Sequence, residues 1–115
     1  MLGSYDLVAF VLTSDPARAK RFYGDTLGLK FVGQDDYAVV FDANGVMIRV
    51  TIIPGHTPAQ HTVLGWNVPD IVVAAADLLK AGVKFEKYSF LEQDDLAKVA
   101  WFKDLEGNVL SISQH

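Results

Sequence analysis

The stretch "DPARAKRFYGDTLGLKF", Asp15 to Phe31, changes its hydrophobic period on both sides of a capped segment. Before it, "DLVAFVLT" from Asp6 is almost continuously apolar and rich in strand formers, which predicts a strand. Within it, Ala19, Phe22, Tyr23 and Leu27 recur at helical spacing. Asp15 suits the N-cap, Pro16 suits the first turn, and Gly28 suits the position past the end, where a positive φ is cheap. "LKFVGQ", "YAVVFD" and "VMIRVTII" then predict three strands, the last two joined by a turn at "ANG". The order is β-α-β-β-β.

Pro54, Gly55 and Pro58 interrupt regular structure, so "PGHTPAQ", residues 54–60, reads as a linker. The same order then returns. "HTVLGWNV" predicts a strand, "IVVAAADLLKAG" a helix capped by Asp70 and ended by Gly82, and "VKFEKYSF", "KVAWFKD" and "VLSISQ" three more strands. "GLKF" reappears as "GVKF", and "FDANGVMIRV" is echoed by "FKDLEGNVLSIS". Cap and turn residues recur by coincidence in many folds. Agreement in order, spacing and turn chemistry instead favours an internal duplication at a period of about 55 residues. We therefore expect an α+β protein of one domain over residues 1–115, with modules at about 5–53 and 61–114.

Composition sets the outer bounds. The chain has 115 residues, of which 50% are hydrophobic and 21% charged, the balance of an ordinary globular protein. A net charge of -4 gives no reason to expect nucleic acid as a partner. No apolar run approaches the ~18 residues that span a bilayer, so no membrane association is expected. The start lacks the basic region of a signal peptide, and the chain has no cysteine, so the expected location is cytoplasmic.

"DPARAKRFYGDTLGLKF" and "FKDLEGNVLSIS" together resemble the vicinal oxygen chelate superfamily, which includes glyoxalase I, extradiol dioxygenases and bleomycin-binding proteins. With the duplicated middle, the resemblance covers essentially the whole chain. It implies paired βαβββ modules whose mixed sheets form a cup, commonly in a homodimer. In metal-dependent members a histidine stands on the first strand, seven residues before the capping aspartate, and a glutamate stands four residues past the last turn glycine. Here those positions are Val8, its second-half equivalent Val63, and Ser111. Valine has no donor atom, and a neutral serine is a poor substitute for a carboxylate. No metal and no other cofactor is expected. The resemblance also implies a glycine- and proline-rich loop where "EQDDLAKVAWF" joins directly, leaving either a short rim or a loop missing between Leu96 and Ala97.

Strand parity nominates the lining of a ligand site. One helix can cover one face of each sheet, which leaves the other free. Met47, Arg49 and Thr51 share the more polar face of their strand, with Val8 and Phe10 nominated beside them and Tyr37 at the mouth. The second module offers Val63, Gly65, Trp101, Ser111 and Ser113, with Trp66 on the opposite parity. Gly65 either makes room in the wall or marks a bulge. Arg49 stands four residues past Gly45 as Ser111 stands four past Gly107, so the two are counterparts. An arginine on an apolar face either grips a ligand anion, pairs with an acidic residue, or reaches to the rim.

Catalytic signals are sparse. Arg49 and His61 are the candidates, one to stabilise an oxyanion and one to move a proton. His56 and His115 fall in the linker and at the end of the chain. Asp6 and the pair Asp35-Asp36 are carboxylates of the kind that strand ends and turns carry routinely, and Asp94-Asp95 reads as a solvated turn. Ser111 and Ser113 are nucleophiles only with a base beside them. Three functions remain open: a metal-free binder of small organic molecules, an enzyme working without metal, and a structural or regulatory dimeric module.

Overall fold

The computed structural model describes residues 1–88 and 98–115, the side chains of 87 and 88 excepted. It is an α+β protein made of two compact units, Met1–His56 and Thr57–His115. The expected strand end at Ser89 and Phe90, the pair Asp94-Asp95 and the Leu96–Ala97 junction lie outside the described residues.

Unit 1 runs β1 (Val8–Thr13), α1 (Pro16–Lys20), β2 (Lys30–Gln34), β3 (Ala38–Ala43) and β4 (Val46–Ile52), after a short 3-10 turn at Leu2–Ser4. Its sheet has the order β1-β4-β3-β2, with β1 parallel to β4 and the other pairs antiparallel. Asp15 caps α1 by accepting a hydrogen bond from Arg18 N (3.1 Å), and Pro16 occupies the first turn. The expected single helix is in fact composite, since Arg21–Thr26 is a π-helical segment. The Leu27 N–H donates to Phe22 O (2.9 Å), the i→i−5 bond of that wider turn. Widening brings neighbouring positions closer around the axis, so Phe22 and Tyr23 both reach the core at 6% and 1% exposure. Gly28 then takes φ +76° and ends the helix. Val11, Val39, Phe41, Ile48 and Val50 complete this core.

The β3–β4 turn is a two-residue hairpin. Asn44 (φ 50°) and Gly45 (φ 90°) both have positive φ, and Ala43 pairs with Val46. That combination matches the twist of antiparallel strands and explains why "NG" was readable.

Unit 2 repeats the order as β5 (Thr62–Asn67), α2 (Ile71–Lys80), β6 (Phe85–Tyr88), β7 (Lys98–Lys103) and β8 (Val109–Gln114), with sheet order β5-β8-β7-β6. Asp70 Oδ1 accepts from Val72 N (3.0 Å) and Val73 N (3.2 Å). The remaining first-turn donor, Ile71 N, reaches Gln114 Oε1 (3.0 Å), so β8 helps to cap α2. The strand expected from Val83 begins only at Phe85. Val83 N instead donates to Leu78 O and Gly82 N to Leu79 O, a Schellman cap with Gly82 at φ +95°. Val83 is the apolar residue that closes such a cap, and it is buried. Helix α2 packs on β7 and β8 over Ile71, Ala75, Phe102, Leu110 and Ile112.

Candidate functional site

In unit 1 the helix covers one face of the sheet and leaves the other open. Along β1, Val11 and Thr13 are buried, while Val8, Phe10 and Leu12 are exposed. Parallel pairing sets Val8 beside Met47, Phe10 beside Arg49 and Leu12 beside Thr51, so these six share the open face. Val40 is opposite Arg49 on the other side. Tyr37 precedes β3 and is 72% exposed, its carbonyl accepting the Ile52 N–H (2.7 Å). Val8, Phe10, Arg49 and Thr51 are thus neighbours on one surface, whereas Tyr37, nominated for the mouth, is opposite Ile52 and falls one residue out of step with Ala38 and Thr51.

Asp35 organises the turn before β3. Its Oδ1 accepts from Tyr37 N (2.8 Å) and Ala38 N (2.9 Å), and its Oδ2 is 3.9 Å from Arg49 Nη2. The two backbone donors, then the guanidinium, hold the carboxyl below the usual aspartate value of 3.8. A lowered folded-state pKa contributes stability that is complete above the unfolded value and is lost as pH falls through the folded value. Asp35→Asn should therefore flatten the acid side of the unfolding curve below about pH 4, and unfolding midpoints measured from pH 2 to 7 check it. An unchanged acid limb would remove Asp35 as its source.

In unit 2, Gly65, Ser111 and Trp101 form one row of the open face, and Ser113 and Val99 form the next. The bulge considered at Gly65 lies instead between Thr62 and Leu64, making Val63 the extra residue. Thr62 therefore stands in the ladder opposite Val109, and Trp101 Nε1 donates to its Oγ1 (3.2 Å). Gly65 has an ordinary φ but no room for a side chain. A Cβ there would come 2.7 Å from Ser111 Oγ, so glycine lets that buried hydroxyl lie against β5. Trp66 pairs with Ile112 on the helix side.

An open cleft of about 520 Å³ is lined by His61, Thr62, Glu86, Trp101, Lys103 and Val109. Thr62, Glu86 and Lys103 were missed by sequence reasoning. Lys103 was within reach, because it is two residues beyond Trp101 on the same strand and shares its parity. Thr62 was not, because the bulge shifts it. His115 Nε2 lies 3.0 Å from Ser113 Oγ, which supplies a base beside one serine. His115 is exposed and Ser113 half-buried. His56 is half-buried at the end of unit 1, and Arg49 and His61 fall in different units.

A divalent ion does not fit these residues. Val8 and Val63 present hydrocarbon, and Ser111 presents a neutral hydroxyl. Among the described residues, no three His, Cys, Asp or Glu side chains converge. Arg49, the counterpart of Ser111, brings positive charge to its own sheet. Metal analysis after dialysis should find well under one divalent ion per chain, and added zinc or nickel should leave the melting temperature unchanged. One tightly held ion per chain, lost in His61→Ala, would overturn this.

Two β-α-β-β-β units, each with its first and last strands parallel, define a duplicated fold that keeps one face of each sheet free. The Glyoxalase/Bleomycin resistance protein/Dioxygenase superfamily model matches residues 5–112, and the chain belongs to that superfamily. No curated protein matches it. Among solved structures it is similar to a superfamily member from Sphaerobacter thermophilus DSM 20745 (24% identity, TM-score 0.78, 100% of both chains covered). It is also similar to TnmS3, an antibiotic binding protein from Streptomyces sp. CB03234 (22%, 0.79, 99% of this chain and 98% of that one). A third is lactoylglutathione lyase from Agrobacterium tumefaciens (17%, 0.77, 96% and 93%). At these identities the likeness establishes the fold alone.

Proposed function

We propose that this protein binds a small organic molecule on the open faces of its sheets, without a resident metal, and works as a homodimer. The observation that carries the reading is the open face of unit 1. Phe10 is 62% exposed at the centre of a regular strand, flanked by exposed Val8, Leu12 and Met47. A contiguous apolar surface on a sheet is costly in water unless something covers it. In unit 2 the half-buried Trp101 and Val109 border a cleft whose other walls carry Thr62, Glu86 and Lys103. TnmS3 shares the fold and is an antibiotic binding protein, which makes ligand capture a reasonable use of such faces, but the reading rests on the residues of this chain. The dimer is supported by Leu2 and Leu7, exposed beside β1, and by β1 and β5 each lying at a sheet edge.

A thermal-shift screen over aromatic acids, amines and neutral aromatics tests the ligand reading. At least one class should raise the melting temperature in proportion to the logarithm of ligand concentration. If no compound stabilises the protein, the binder reading fails. Light scattering at micromolar concentration should give twice the chain mass, and a clean monomer would remove the dimer.

A further inference from the structure

We propose that the ligand taken by unit 1 is a lipophilic organic anion, its apolar body lying on Phe10 and its carboxylate or similar group held by Arg49 in competition with Asp35. This rests on the small-molecule reading above and names the ligand class.

Arg49 is at the middle of β4, an interior strand of its sheet, not at a strand end where a guanidinium reaches water easily. Its neighbours in register are Phe10 and Val40, and its side chain is only 30% exposed. Arginine carries five donors in a planar fork that matches a carboxylate. The acid beside it satisfies that fork poorly. Asp35 Oδ2 is 3.9 Å from Nη2, beyond hydrogen-bond reach, and the Asp35 side chain is 55% exposed. A loose, exposed ion pair contributes little. The other oxygen, Oδ1, is already committed to two backbone N–H groups, so Asp35 cannot turn to meet Arg49 without giving up its turn. Asp42 shares the open face but has Lys30 as its partner in register and is opposite Met47, not Arg49.

A ligand carboxylate is free to approach in the plane of the guanidinium, which Asp35 is not. Phe10 is the residue directly beside Arg49 on the parallel strand, so a flat ring bearing a carboxylate meets both at once. The apolar contact supplies affinity and the fork supplies selection for charge. A neutral or cationic analogue of the same shape gains only the first.

The test is calorimetric titration of the purified protein with 2-naphthoate, 2-naphthamide and 2-naphthylmethylamine, which share one ring body and differ in charge. Naphthoate should bind at least ~10-fold tighter than naphthamide, and the amine should bind weakest. Arg49→Gln should lower naphthoate affinity far more than naphthamide affinity, bringing the two to within about twofold of each other. Asp35→Asn keeps the Oδ1 acceptor for the turn and removes the competing charge, so it should tighten naphthoate about threefold and leave naphthamide unchanged. Melting curves of both variants verify that they fold. If naphthoate and naphthamide bind equally, or the preference survives in Arg49→Gln, the anion proposal is wrong and the small-molecule reading stands. If none of the three binds while another compound of the thermal-shift screen does, the anion proposal falls and the small-molecule reading stands.

Discussion

Asp104→Ala should destabilise the protein by about 3–5 kcal/mol, a large share of the ~5–15 kcal/mol that holds a typical domain together. Asp104 closes the β7–β8 turn and is only 7% exposed. Its Oδ1 accepts from Glu106 N and Asn108 N (2.9 Å each), and its Oδ2 accepts from Asn108 Nδ2 (2.8 Å). Asn108 is 4% exposed, and its carbonyl accepts the Asp104 N–H (3.1 Å). Gly107 completes the loop at φ +95°. Alanine would leave three donors without their anion, two of them on a buried residue that water reaches poorly. Losing a buried hydrogen bond to a charged acceptor costs roughly 1–3 kcal/mol. Urea midpoints measure the loss, and a change below about 1 kcal/mol would show that water replaces the carboxylate freely. A reciprocal exchange sharpens the test. Asp104→Asn alone sets two amide NH2 groups against each other. Adding Asn108→Asp restores a donor–acceptor pair and should recover more than half of the loss.

This polar knot also marks a limit of reading the sequence. "DLEGN" announced a turn through its glycine and asparagine, yet nothing in its spacing says that the aspartate is buried and binds three donors. The elements themselves were legible because each obeys a local rule. Asp15 and Asp70 cap their helices, Asn44-Gly45 makes the hairpin, and alternation sorts Val11 from Phe10. What escaped was decided by partners distant in sequence or by irregular backbone. Gln114 caps a helix 43 residues away. The π-helical segment depends on packing Phe22 and Tyr23 together. The bulge at Val63 moves Thr62 into the ladder, and a single extra residue is invisible to a parity count.

The same contrast runs through the candidate site. Arg49, Phe10 and Val8 could be placed on one face from parity, because β1 and β4 are regular over their whole length. That Arg49 is paired only loosely could not be foreseen. It depends on Asp35 spending its other oxygen on Tyr37 and Ala38, a three-residue turn whose geometry no hydrophobic pattern records. The duplication helped in one further way. It made Arg49 the counterpart of Ser111, the position where the superfamily resemblance implies a metal-binding carboxylate, and so drew attention to the cation.

Phe41→Ala should cost about 3–5 kcal/mol, whereas Phe10→Ala should fall within about 0.5 kcal/mol of wild type. Both phenylalanines belong to the sheet of unit 1, on opposite faces. Phe41 is 0% exposed and opposite Ile48 in register. Its ring centroid lies 6.0 Å from those of Tyr23 and Phe31, and a Cβ on Gly24 would sit 3.4 Å from its Cε1. The π-helical segment therefore rests directly on this ring. Removing it opens a cavity that the flanking strands, fixed by their ladders, collapse into only partly. Phe10 makes no comparable investment, since 62% of its surface already meets solvent. Its truncation should instead weaken 2-naphthoate and 2-naphthamide binding by a similar factor of about ten, leaving the preference for the anion intact, because the ring body and not the charge has lost its partner. Chemical denaturation and titration of the two variants separate these effects. A Phe10→Ala protein that is destabilised like Phe41→Ala would make the open face part of the folding core and remove the physical basis for a ligand there.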